Sequence, residues 1–188
     1  MSIKIYIDQG HNPVNPNAGA EGNGLREQDV VYPIGIELAE LLRANGNFEV
    51  KLSRPTADTQ LGNSNSSSLR LRVQDANSWG ADYFISLHTN ASDIVSATGS
   101  EALVYSQPSV AAELGADLLR ELNRTTGLAN RGVKSRPGLY VLRRTAMPAV
   151  LMELGFISNA SDAELMSTRP DLFAQGLYNG LLDYLNLR

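Results

Sequence analysis

The chain has no cysteine among its 188 residues. Disulfides, thiolate metal sites and thiol nucleophiles are thereby excluded. Histidine is nearly as scarce, with two in all, so imidazole chemistry rests on His11 and His88 alone. No stretch approaches the roughly 20 apolar residues of a membrane span. The N-terminus lacks the basic region and apolar run of a signal peptide. Sixteen basic residues against 20 acidic ones leave a net charge of −4. With no basic stripe to neutralise phosphates, a nucleic-acid partner is not expected. There is no G-x-S-x-G elbow, no P-loop and no H-E-x-x-H motif, so the common nucleophile, phosphate and metalloprotease signatures are all missing.

What is present reads as strands alternating with helices. "IKIYID" near the N-terminus alternates like a half-buried strand and runs into Gly10 and His11. Val30, Val31, Ile34, Leu38, Leu41 and Leu42 then recur at helical spacing. That helix is predicted to begin near Asp29 as N-cap, leaving Glu27 just before it and Pro33 in its first turn. "FEVKLS" (48–53), "DYFISLH" (82–88), "SEALVYS" (100–106), "GLYVLR" (138–143) and "PAVLMELG" (148–155) are read as strands. "GNSNSSS" is read as an exposed loop. Residues 69–79 are expected to form a helix with Leu69, Val73 and Ala76 inward, and with Arg70 and Arg72 solvated on either side of an inward Leu71. Trp79 is assigned to packing at that helix's end. A helix opened by Pro108 carries Val110, Leu114, Leu118 and Leu122. Ser161 and Glu164 suggest a capping box, and Pro170 opens a final helix with Phe173, Leu177 and Leu181 inward. This order predicts one α/β domain over residues 1–188, with a mostly parallel sheet.

In open α/β sheets, ligands sit outside the carboxyl ends of the strands. His11 follows the first strand, His88 ends another, Glu153 ends the apolar run "PAVLM", and Glu27 lies in the first strand-to-helix loop. On parallel strands all four emerge at one edge. Two imidazoles and a carboxylate with a position left for water form a catalytic zinc donor set, and a second carboxylate can take the water's proton. Each residue also has an ordinary role open to it: a packed histidine, a helix-start dipole partner, a surface charge. Spacing alone leaves both readings standing.

At these residues the sequence resembles the zinc-dependent N-acetylmuramoyl-L-alanine amidases of the amidase-3 type. "IYIDQGHNP" is similar to that family's first strand and metal-binding His, although the family more often has Gly-Gly where Asn12 and Pro13 stand. "GNGLREQD", "LRLRVQDANSWGADYFISLHTNAS" and "GLYVLRRTAMPAVLMELGFISNASD" match its later motifs in order, from about Ile3 to Tyr184. The resemblance implies a mixed, mostly parallel six-stranded sheet with helices on both faces. It implies Zn2+ held by His11, Glu27 and His88, with Glu153 as general base and acid, and hydrolysis of the amide joining N-acetylmuramic acid to L-alanine in peptidoglycan. Asn90 and Asn12 are the expected substrate contacts. The stretch from Thr89 to Met152 has no surplus segment to plug the site, so an exposed zinc and a domain active without an activator are expected; a monomer is expected as well. It acts on the cell wall, as a released phage lysin's catalytic part or as an excised domain of an exported amidase. The alternatives are a zinc peptidase using the same four residues, a binding module that keeps the fold without catalysis, and an interaction protein in which both histidines are merely packed.

Overall fold

The computed structural model describes residues 2–188. Its centre is a sheet of six strands in the order β4-β1-β5-β8-β6-β7. These are β1 (Ile3–Gln9), β4 (Phe48–Leu52), β5 (Tyr83–Asn90), β8 (Ala149–Phe156), β6 (Ser100–Val104) and β7 (Asn130–Ser135). The first four run parallel, whereas β6 pairs antiparallel with β8 and β7 follows β6 in parallel. The carboxyl ends of β1, β5 and β8 therefore share an edge with the starting ends of β6 and β7. A two-stranded ribbon, β2 (Glu21–Gly22) with β3 (Leu25–Arg26), lies in the loop after β1.

Alternation along the strands sorts side chains between two layers. Ile5, Ile7, Ile85, Leu87, Val150, Met152 and Leu154 face α1 (Glu27–Asn45), α3 (Val110–Thr126) and α6 (Pro170–Tyr184), forming the larger core. Tyr6, Phe84, Leu103, Ala149 and Leu151 face α2 (Asn65–Trp79) and α4 (Tyr140–Arg144), forming the smaller one. Tyr6 and Phe84 stack there with ring centroids 5.5 Å apart. Trp79 packs at the end of α2 as expected, with Lys4 Nζ 5.4 Å from its ring centroid. The short α5 (Ala160–Thr168) packs against β8.

Several local readings change. Helix α1 begins at Glu27, two residues before Asp29, with Arg26 at the N-cap and no side-chain cap. Pro33 accordingly sits in the second turn, and its missing N–H leaves one intrahelical bond unmade. The serine run is not a loose loop. Ser64 caps α2, accepting from Ser67 N at 3.1 Å while Ser67 Oγ accepts from Ser64 N at 2.9 Å, and Ser68 is fully buried. The cap of α5 is Asn159, whose Oδ1 accepts from Ser161 N and Asp162 N, not Ser161. Residues 138–143, read as a strand, lead into α4, and the sixth strand is instead the polar segment "NRGVKS". In α2 the inward stripe is Leu69, Arg72, Val73 and Ala76, so Leu71 is exposed and Arg72 is only 1% exposed.

Candidate metal centre

Backbone ties close to the sheet place each donor of the site. Gly10 N continues the β1–β5 pairing by donating to Leu87 O at 3.0 Å. A Cβ on Gly10 would stand 2.5 Å from His88 Cε1 and 2.6 Å from Leu87 O, so only glycine lets the chain pass this close to the imidazole. The next residue, His11, takes a left-handed backbone with φ 67°, which turns its ring back over the edge. Glu27 is the first residue of α1, and its carboxylate is fixed at both oxygens. Oε2 accepts from Ala20 N at 2.9 Å, and Oε1 accepts from Thr89 N at 2.9 Å.

His11, Glu27 and His88 converge, each offering one ligand atom, and these atoms all lie within 4.8 Å of one another. His11 Nε2 is 3.2 Å from Glu27 Oε2, and His88 Nδ1 is 3.0 Å from Glu27 Oε1. The two imidazoles meet edge to face with centroids 4.8 Å apart. Burial alone would raise the Glu27 carboxyl, but hydrogen bonds and charge from both histidines outweigh it and hold the group well below the usual carboxylate range. Burial would disfavour charge on His88, yet Glu27, Glu153 and Asp8 together raise it. A pocket that favours positive charge on this half-buried imidazole also favours a cation. His11 Nδ1 is buried and has no partner among the described residues. Two imidazoles, one with a ring nitrogen left without a partner, and one carboxylate fit a divalent metal of zinc's preferences.

Glu153 stands on β8 directly beside His88 in the parallel register. Its Oε2 is buried without a partner. Burial pushes its carboxyl up to about 7, a rise that His88 opposes and that Glu27 and Glu101 reinforce. Near neutrality it can therefore both take up and release a proton.

The residue that sequence reading missed is Arg72. Its Nη1 donates to Asp8 Oδ1 at 2.6 Å and to Gln9 O at 2.7 Å, and its Nη2 donates to His11 O at 2.6 Å and Asn12 Oδ1 at 3.2 Å. Asp8 also accepts from Ser86 Oγ at 2.7 Å. One guanidinium thus ties α2 to the loop that carries His11. Asn12, expected at the substrate, is fully buried, and its amide donates to Pro16 O and Leu61 O while accepting from Leu61 N. It holds the loop's shape. Asn90 is half-buried and donates to Glu101 Oε1 at 3.3 Å. No residue between Thr89 and Met152 enters the donor cluster. That stretch supplies Leu139, Tyr140 and Val141 to a pocket of about 110 Å³ beside the two histidines.

The close fit at Gly10 makes a prediction. Gly10→Ala must displace His88, since the backbone oxygen of Leu87 blocks escape the other way. Metal affinity is expected to fall by about 10–100-fold, measured by competition with a chromophoric chelator; unchanged affinity would show that the ring has slack.

Comparisons with known proteins point to one family. The Amidase_3 family model, N-acetylmuramoyl-L-alanine amidase, matches residues 5–183. The N-acetylmuramoyl-L-alanine amidase CwlM of Bacillus licheniformis is 36% identical over 189 residues, covering 98% of this chain and 70% of the relative. The sporulation-specific N-acetylmuramoyl-L-alanine amidase of Bacillus subtilis is 36% identical over 191 residues, covering 99% of this chain and 69% of the relative. Among solved structures, the CwlD amidase from Clostridioides difficile, in complex with the GerS lipoprotein, superposes with a TM-score of 0.90 at 27% identity, covering 100% of both chains. A family match running from the first strand to the last helix, on a fold shared end to end with a solved amidase, means that this chain belongs to the N-acetylmuramoyl-L-alanine amidases of the amidase-3 family, enzymes that act on peptidoglycan.

Proposed function

We propose that the chain is a zinc-dependent hydrolase of the amide between N-acetylmuramic acid and L-alanine, with His11, Glu27 and His88 as the metal ligands and Glu153 as the proton carrier. The observation that carries this reading is the convergence, at one sheet edge, of three donors from distant points of the chain, with a fourth, unpartnered carboxylate one strand away. A zinc ion held there would supply Lewis acidity, polarising the scissile carbonyl and acidifying water.

The chain's own groups do the rest. Thr89 N and Ala20 N hold the Glu27 carboxylate, so it does not rotate away when a substrate enters. Arg72 fixes the His11 carbonyl and with it the pitch of that imidazole. Glu153 takes the proton of the attacking water and returns it to the alanine nitrogen as the C–N bond breaks. The products are an N-acetylmuramic acid carboxylate and a free L-alanine amino terminus. The site of action is the cell wall, and no helix among the described residues is long and apolar enough to cross a membrane.

Mass spectrometry of peptidoglycan digested by the zinc-loaded protein tests the reading. Free stem peptides with a new L-alanine amino terminus are expected. Cuts inside the stem would move the enzyme to a peptidase, and an undigested wall would count against the proposal. The ligand assignment has its own check: zinc retained through dialysis by the wild type is expected to be lost from His11→Ala and His88→Ala, read by metal analysis.

A further inference from the structure

The row of side chains that begins at His88 and Glu153 continues outward along the sheet. Glu153 pairs in register with Glu101 on β6, which places both carboxylates on the same face. Glu101 is nearly buried, and two cations from β7 converge on its Oε2: Lys134 through Nζ, and Arg131 through Nε at 3.4 Å. Two positive charges against one carboxylate leave an excess of one at this end of the row.

Arg131 is shaped for more than a surface ion pair. The β6–β7 register is irregular between Ser100 and Ala102, and Gly132 takes φ 83°. Such a bulge re-aims the side chain beside it. Here the Arg131 guanidinium lies over the Phe156 ring, with Cζ 4.9 Å from the centroid, and Nη1 donates to Thr98 O at 3.1 Å. Phe156 in turn pairs in register with Asn90, whose amide donates to Glu101. The head group is thus held on three sides, while the side chain keeps 37% exposure and Nη2 has no partner among the described residues. A stacked, preorganised guanidinium with a free edge suits a carboxylate.

We infer that Arg131, backed by Lys134, forms an anion subsite that binds a carboxylate of the substrate on the peptide side of the scissile amide. The direction follows from the substrate's chemistry: the muramoyl group's only carboxyl is the one engaged in the amide, so a free carboxylate must belong to the stem peptide. The reach also fits. The Arg131 guanidinium lies over Phe156 of β8, the strand that pairs with β5 and His88, so the head group stands nearer the donor cluster than β7 itself, and two extended residues cover roughly 7 Å. The second residue of the stem, D-glutamate, carries its α-carboxyl at that range. The stem peptide then runs over β6 and β7, and the glycan leaves the other way, over β1. This inference rests on the amidase reading above.

The test uses muropeptides with a tetrapeptide stem in two forms, the D-glutamate α-carboxyl free or amidated, on the wild type and on Arg131→Gln. The wild type is expected to favour the free acid by roughly tenfold in kcat/KM, mainly through KM. That preference should shrink as salt is raised. In Arg131→Gln the ratio between the two substrates is expected to fall to near one. A wild type that cleaves both forms equally well, or a variant that keeps the preference, overturns the subsite and leaves the amidase reading intact. A wild type that cleaves neither form overturns the amidase reading and the subsite with it.

Discussion

Replacing Glu153 with glutamine is expected to slow peptidoglycan hydrolysis by about 10²–10⁴-fold while zinc content and the unfolding midpoint stay near wild type. Glutamine keeps the size and leaves the strand pairing of β8 with β5 and β6 undisturbed. It cannot carry a proton. The Glu153 carboxyl has no hydrogen-bond partner on Oε2, so no structural bond is removed with its charge. The same argument fixes the acid limb of the pH profile. The wild-type rate should fall as the pH drops and Glu153 is protonated, because a protonated acid cannot accept from water. The residual rate of the variant should lack that limb. Steady-state rates with metal analysis on both proteins decide the matter, and a variant retaining more than about a tenth of wild-type activity would remove Glu153 from the chemistry.

The second large effect is on stability. Arg72→Met leaves Asp8 buried with Ser86 as its remaining side-chain partner, and an uncompensated buried charge costs about 3–5 kcal/mol. The carbonyls of Gln9 and His11 lose a donor as well. The urea midpoint should fall accordingly, and adding Asp8→Asn to the same protein should restore part of the loss, since the two residues are directly coupled. Equal losses in the single and double variants would refute the account. The pH dependence follows from the same pair. Burial would raise the Asp8 carboxyl, but Arg72 outweighs it and holds the group below its ordinary value. Its stabilisation is therefore in full force above the unfolded-chain value of about 4, and is lost as the pH falls through the lower folded-state value.

Much of this was legible in the chain. β1, β5 and β8 announced themselves by alternation or by unbroken apolar runs, and α3 and α6 by stripes at helical spacing. Their parallel order was enough to bring His11, His88 and Glu153 to one edge. Two kinds of residue escaped. The strand Asn130–Ser135 is exposed at its ends and has Val133 as its one apolar side chain, as suits an edge strand, so it carries no hydrophobic pattern. "GLYVLR" carries a short apolar run that periodicity cannot assign, and packing against α2 made it helical. Arg72 was hidden for a different reason. Its spacing from Leu69 and Ala76 places it on the inner stripe of α2, but a charge there reads as solvated until its partner is known. Asp8, in β1, lies far away in sequence, and only the fold brings the two together.

The placement of the donors has a mechanical consequence for a chain without a single disulfide. His11 follows β1 and His88 lies in its neighbour β5, yet about two-fifths of the sequence lies between them. An ion held by both would act as a removable staple, closing the chain from residue 11 to residue 88 and restricting the unfolded ensemble much as a disulfide would. Polymer entropy puts such a closure at about 4–5 kcal/mol. A chelator in the surroundings could then loosen the fold as well as silence the enzyme.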